Sequence, residues 1–497
     1  MSVEGRKQKG VPCPSGVDVR ALMGSVCLWS WVGALYMSAF FVPFGRQGGM
    51  AEAATWGTSL LGVPICLAFL WKRERACKAL ASRGALWASG TAGVAASLLL
   101  IWSAQTGSLA LLGLGALLGA LFMAVAVVSW GSLYCSGGMR TVTLYVAGAF
   151  ACTPVPNVVF SLLVPPVSAY AFALLPLASM ALLALVDPQS RVYDPEAPVC
   201  PRGPSTPAGR LRRILGISPA AVCGLMLIML GIGYMEHRVS FSASPNLPFA
   251  SDGLVVQLVH GVVAAVLFAV MTFWPKRAAA VYRAGLLVII AGFSLMPFLY
   301  GSAGFWASGA VIIAGYVTFD VLVWIIVAQS AHSKRLDAFV GVCVMRVLIN
   351  GTFCSLGGLL AMGVSNLGIS TAFACADAVL VGYVVTVAVV LVLSSRGVWE
   401  LFEPVCDPGG PAPAPSLSER MQALAEEWGL TARERDVFEL LAVGRTQPWV
   451  AAHLGISENT VDSHVRRIYA KSGVNCRQDL LDLVFCTQSR ERHEGVS

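Results

Sequence analysis

Two groups of residues have types and spacing that could do chemistry. Asp320, Arg346, Asp377 and His260 are ionisable side chains set inside otherwise apolar sequence. A charge away from water is costly, so such groups pair with one another, meet a ligand or relay protons. Asp320 and Arg346 lie at similar distances from the same end of consecutive apolar runs. At 1.5 Å per helical residue their depths differ by only about 3 Å, near enough to pair. Two readings stay open: a structural ion pair joining two helices, or part of a ligand or proton cavity. The second group lies near the C-terminus, where VDSHVRRIYAKS places Arg466, Arg467 and Lys471 between apolar Val461, Val465 and Ile468. That spacing gives a helix one buried face and one basic outer face. Catalytic patterns are missing: there is no nucleophile elbow, HExxH, Walker A sequence or C-x-x-C pair. Neither an enzyme nor a cofactor or metal is implied.

The elements that must carry these residues follow from composition. Of the 497 residues, 56% are hydrophobic and only 12% charged, against about a quarter charged in soluble domains. Such a chain belongs largely in a lipid bilayer. Apolar runs long enough to cross a hydrocarbon layer of roughly 30 Å recur up to residue 394. We read twelve: 21–43, 50–71, 85–102, 109–132, 141–163, 168–186, 217–235, 254–274, 282–300, 304–328, 336–362 and 371–394. They are continuous rather than alternating, so they predict helices and an all-α bundle. Charge sets the orientation. The loops on one side hold only Arg46 and Arg238, whereas the other loop cations, from Arg6 to Arg396, gather on the opposite side. By the positive-inside rule both termini are cytoplasmic. Residues 1–20 then form a cytoplasmic tail, 21–394 the membrane domain, and 187–216 a central cytoplasmic loop dividing six spans from six. The 14 cysteines are scattered and read as free thiols serving as small apolar residues.

Residues 395–416, with Pro404, Pro408, Pro411, Pro413 and Pro415, read as a linker, and 417–497 as a soluble helical domain. Thr431 and Glu434 have the spacing of a capping box that opens a helix. Gly444 ends that helix, and Pro448 sits in the first turn of the next, which stops at Gly455. Ser457 caps a third helix ending at Gly473, and residues 477–488 form a fourth. Two helices joined at Gly455, the second with a basic outer face, make a helix-turn-helix.

This stretch resembles the LuxR-type DNA-binding domain. The matching residues are Leu430, Thr431, Arg433, Glu434, Leu440, Leu441, Ala442, Gly444, Ala451, Leu454, Ile456, Ser457, Thr460, Val461, His464, Ile468, Lys471, Gly473, Val474 and Arg477. The resemblance implies that the third helix enters the major groove of double-stranded DNA, with Asp462, Ser463 and Arg466 toward the bases. It also implies Thr460, Arg467 and Lys471 toward phosphate, and a homodimer through the helix near Gln478–Phe485. Asp462 stands where the family usually has Lys or Arg, which implies an unusual base preference or weakened binding. Trp449 replaces a common acidic residue. The whole chain is similar to the membrane-bound LuxR-type regulators of bacteria, and its six-plus-six layout resembles the major facilitator architecture. Its loop KRERACKALASR lacks the Gly and Asp of that architecture's signature. These resemblances imply an inner-membrane regulator whose bundle senses a small or lipophilic signal; the alternative is a secondary transporter with a regulatory tail.

Overall fold

The computed structural model describes residues 18–36, 39–45, 49–164, 166–186, 217–240, 249–299, 305–334, 337–366, 371–399, 417–442, 444–474 and 476–480. The central loop 187–216 lies outside these residues. The chain divides into two compact units, Met1–Glu403 and Pro404–Ser497, each with its own apolar core.

The first unit is a helical bundle. Its helices are α1 (Val19–Tyr36), α2 (Gly49–Trp71), the short amphipathic α3 (Arg73–Ala81), α4 (Arg83–Thr106), α5 (Leu109–Ser136), α6 (Met139–Phe160), α7 (Val167–Leu185), α8 (Pro219–Ser240), α9 (Phe249–Phe273), α10 (Ala278–Leu299), α11 (Phe305–Lys334), α12 (Ala338–Ser365) and α13 (Thr371–Leu393). Eleven contain stretches long and apolar enough to span a membrane, and Leu258–Phe273 of α9 adds a shorter apolar stretch. With α3 set aside, the twelve apolar runs of the sequence each correspond to one helix. Among the described residues there is no strand.

With no water to bond, polar tips inside the bundle pair with each other. The Trp31 indole donates to Ser97 at 2.9 Å, and the Trp130 indole donates to Ser179 at 3.1 Å. Helices α8 and α12 cross closely because Gly233 and Gly357 lack side chains; a Cβ at either would meet backbone of the other helix. Two helices widen to π-helical turns, Thr143–Ala147 in α6 and Cys343–Gly351 in α12.

The bundle extends past the expected start of the linker. Residues Arg396–Trp399 form a further helical turn, with Val398 and Trp399 buried. The Trp399 indole donates to the Leu393 carbonyl at 2.9 Å, and Arg283 lies over its ring at 4.7 Å. Aromatic burial thus holds residues that the proline pattern had assigned to a free linker.

The second unit contains α14 (Leu417–Glu427), α15 (Ala432–Ala442), α16 (Gln447–Leu454) and α17 (Glu458–Ser472), then the helical residues 477–480. The sequence reading did not single out α14. Its signal was the spacing of Met421 and Ala425, both buried in the core with Phe438, Val450, Val461, Val465, Ile468 and Leu480. The side chains larger than alanine each contribute about 1.5–3 kcal/mol when fully buried.

Candidate nucleic-acid interface

Helix α17 is fixed at both ends by local chemistry. Ser457 accepts the Thr460 amide at 3.2 Å, satisfying a donor that the first turn would otherwise leave unpaired. At the other end Gly473 takes φ 71° and sends its amide back to the Tyr469 carbonyl at 2.9 Å. Gly455, at φ 65°, makes the turn from α16; a side chain there would strain the backbone. Val461, Val465 and Ile468 face the core, which leaves the opposite face of α17 outward.

That outward face carries most of the expected contact set. Arg466 is 80% exposed and meets the Asp462 carboxylate at 2.9 Å, one turn away. Arg467 and Ser463 are exposed, and the Ser463 hydroxyl donates to the Asn459 carbonyl at 2.9 Å. Thr460 is exposed at the start of the helix, its hydroxyl 2.8 Å from that of Ser457.

Lys471 departs from its expected place on a phosphate-facing surface. Its ammonium donates to the Glu434 carboxylate at 2.7 Å and to the Gly429 carbonyl at 3.0 Å. Glu434 also receives the Thr431 amide at 2.9 Å and donates its own amide to the Thr431 hydroxyl at 3.4 Å, so the capping box forms as the spacing predicts. Lysine donates to Oε2, the same carboxylate oxygen that accepts the Thr431 amide, and this ties α17 to the start of α15. The Lys471 ammonium, followed by the Thr431 amide, holds the Glu434 carboxyl down at about 2.

Two further features had no role in the sequence reading. Trp449 is stacked between Arg445, 4.6 Å from its ring, and His453, whose ring lies at 4.7 Å and 15°. Arg477 donates to the Arg445 carbonyl at 3.0 Å and so ties residues 477–480 to the loop before α16. Arg477 was visible as a match, without its partner. Of the stretch Gln478–Phe485, residues 481–485 lie outside the described residues.

A scan against family models matches residues 429–484 to the "Bacterial regulatory proteins, luxR family". The C-terminal domain belongs to that family. Over 78 residues the chain is 38% identical to the probable transcriptional regulatory protein NarL of Mycobacterium tuberculosis, covering 14% of this chain and 36% of NarL. A shorter stretch of 48 residues is 48% identical to the spore germination protein GerE of Bacillus subtilis, covering 10% of this chain and 65% of GerE. The chain thus spans only about a third of NarL's length. The other unit is similar in shape to solved transporters at low identity. The E. coli fucose:proton symporter FucP gives a TM-score of 0.46 at 13% identity, over 77% of this chain and 97% of that one. The human organic anion transporter MFSD10 gives 0.49 at 12%, over 76% and 100%. Likeness this loose concerns shape and says nothing of activity.

The membrane half brings two of its four candidates together. Arg346 forms a two-pronged ion pair with Asp320, their side chains 7% and 3% exposed, and Asn350 donates to the same carboxylate at 3.3 Å. The guanidinium also lies 4.7 Å from the Trp324 ring and 5.8 Å from Trp29, adding cation–π attraction. Asp377 is elsewhere and accepts the Tyr234 hydroxyl. His260 packs its ring edge-on to Phe150 at 5.1 Å. Sequence reasoning missed a buried pair at the start of α2, where Glu52 meets His237 of α8 at 3.4 Å and His237 meets Ser365 at 3.3 Å. It also missed Arg73 of α3, which pairs with Asp337, the residue capping α12. A charged residue near the end of an apolar run was the available signal; the partner lies far away in sequence.

Proposed function

We infer that this protein is a membrane-tethered transcriptional regulator. Its luxR-type domain binds promoter DNA, and its twelve-helix unit sits in the bacterial inner membrane with both termini cytoplasmic. The observation that carries the reading is the outward face of α17, with Arg466 and Arg467 exposed on a luxR-family fold, in one chain with a polytopic helical unit. Arg466 donates its fork to a guanine edge, Arg467 neutralises phosphate, and Thr460 and Ser463 assist at the groove. Lys471 acts from within the domain by holding α17 in place. Asp462 shapes base preference or lowers affinity. The domain pairs as a homodimer through the helix near Gln478–Phe485, setting two recognition helices about one DNA turn apart. The membrane half senses a small signal, and differential binding to two states of the bundle shifts the DNA-binding output.

Genome-wide mapping of bound DNA, with the intact chain and with Arg466→Ala, tests this. Discrete sites occupied by the intact protein and vacated by the variant are expected; a profile matching background for the intact chain overturns the reading.

A second reading is a working transporter with a regulatory tail. It is favoured by the Glu52–His237 and Arg73–Asp337 pairs, which link spans 1–6 to spans 7–12 at both ends of the bundle. Substrate flux into vesicles supports that reading, and a flux-free protein that still responds to signal rejects it.

A further inference from the structure

Among the residues of the membrane half whose side chains are described, which leaves out Asp252, every acidic side chain but one has a strong partner. Asp18 meets Arg20, Glu52 meets His237, Glu74 meets Lys78, Asp320 meets Arg346, Asp337 meets Arg73, and Asp377 meets Tyr234. The exception is Glu236 on α8, whose carboxylate touches only the Cys354 thiol, at 4.0 Å. A thiol is a weak donor and does not repay the burial of a carboxylate.

The surroundings of Glu236 have the features of a site. Glu236, Tyr36 and Tyr316 are surrounded by protein, and each keeps part of its surface accessible. Tyr36 and Cys354 lie within electrostatic reach of Glu236, and Tyr316 within reach of Tyr36 and Cys354. The fully buried Trp56 ring packs edge-on behind Tyr36 at 6.1 Å and holds that ring in place. One turn before Cys354, Asn350 is 5% exposed, and its Oδ1 has no hydrogen-bond partner while its amide nitrogen is committed to Asp320. Both unmatched groups, the Glu236 carboxylate and the Asn350 oxygen, are acceptors.

We propose that Glu236, Asn350, Tyr36 and Tyr316 form a binding site for a small hydrophobic organic cation, an ammonium group carried on an apolar or aromatic body. The ammonium donates to the Glu236 carboxylate and to Asn350 Oδ1, and the aromatic rings hold its charge by cation–π attraction and its body by apolar contact. An anion would place like charge beside Glu236, and a neutral ligand would leave that carboxylate unpaired. The assignment names the class of signal taken by the proposed sensory half and rests on that reading for its regulatory consequence alone.

The test uses the full-length protein in lipid nanodiscs, titrated with benzylammonium and, as probes of similar shape, benzyl alcohol and benzoate. Binding is read by calorimetry and by thermal unfolding. Benzylammonium is expected to bind and to raise the unfolding temperature, since a ligand of the folded state alone stabilises it. Glu236→Gln should weaken binding at least about tenfold, roughly the 1.4 kcal/mol of one lost charge-assisted contact. Should that variant fail to fold, Glu236→Asp, which withdraws the carboxylate by one methylene, should still weaken binding about threefold or more. Equal binding of benzoate or benzyl alcohol, no binding of the amine, or an amine affinity unchanged in the folded variant would each overturn the site. A promoter-reporter strain separates the two ideas: amine binding without any change in output leaves the site standing and removes the sensory reading.

Discussion

In the luxR-type domain a buried carboxylate, Glu434, meets Lys471 at 2.7 Å while the lysine stays 35% exposed; in the membrane half Asp320 meets Arg346 with both side chains almost wholly covered. The lysine keeps part of its hydration, so its pair joins a stable domain at modest cost. The arginine keeps almost none and draws on a bidentate partner and two indole rings instead. The same pair of charge types therefore serves as a fastening in one unit and as a costly, highly constrained centre in the other.

The sharpest way to break that contrast is Arg346→Gln, which strands Asp320. Losing one partner of a covered pair costs about 3–5 kcal/mol, so the yield of folded protein on size-exclusion chromatography should collapse. Asp320→Asn together with Arg346→Gln should recover most of it. If the single variant behaves like the wild type, the pair is not the constrained centre described. Next in size is Arg466→Ala, expected to cost about 1–3 kcal/mol of DNA affinity and to relax preference at one base position. Arg467→Ala should weaken all sequences alike and lower the salt slope by about one. Binding isotherms over a salt series distinguish the two.

The Glu434–Lys471 fastening makes a pH prediction. With its folded value held down at about 2, Glu434 contributes stability above the ordinary carboxylate range near 4.3 and loses it as pH falls toward 2. Hydrogen exchange of the α17 amides in the intact chain should show protection declining across that window, and Glu434→Gln should flatten the decline. A slope unchanged in the variant would assign the acid sensitivity elsewhere. The smallest effect belongs to Asp462→Lys. Removing an acceptor beside Arg466 and adding a cation should raise affinity several-fold at low salt, fading as salt screens it; unchanged affinity and preference would place residue 462 off the DNA.

Local rules made much of the second unit readable. Thr431 with Glu434, Ser457 with Thr460, and the glycine stops are contacts within a few residues, and all appear as their spacing predicts. Apolar run length likewise located the spans, because a bilayer imposes one length on every crossing helix. Asp320 and Arg346, only 26 residues apart, were within reach of a depth argument on adjacent spans. The contact of Glu236 with Cys354 joins residues 118 apart, and Lys471 reaches Glu434 across 37. Neither is set by periodicity; each depends on which helices pack side by side. Lys471 misleads for a further reason, since an end-of-helix lysine has the same sequence signature whether it faces phosphate or a neighbouring helix.

The π-helical turn at Cys343–Gly351 has a mechanical consequence. An i→i+5 coil holds more residues per revolution than the ordinary helix, so retightening it would unscrew everything that follows by a fraction of a revolution. Cys354 and Ser365 ride on that downstream piece, and both touch α8. A change of winding on one span would thus swing two grips off their neighbour at once, giving the bundle a rotary step that needs no hinge.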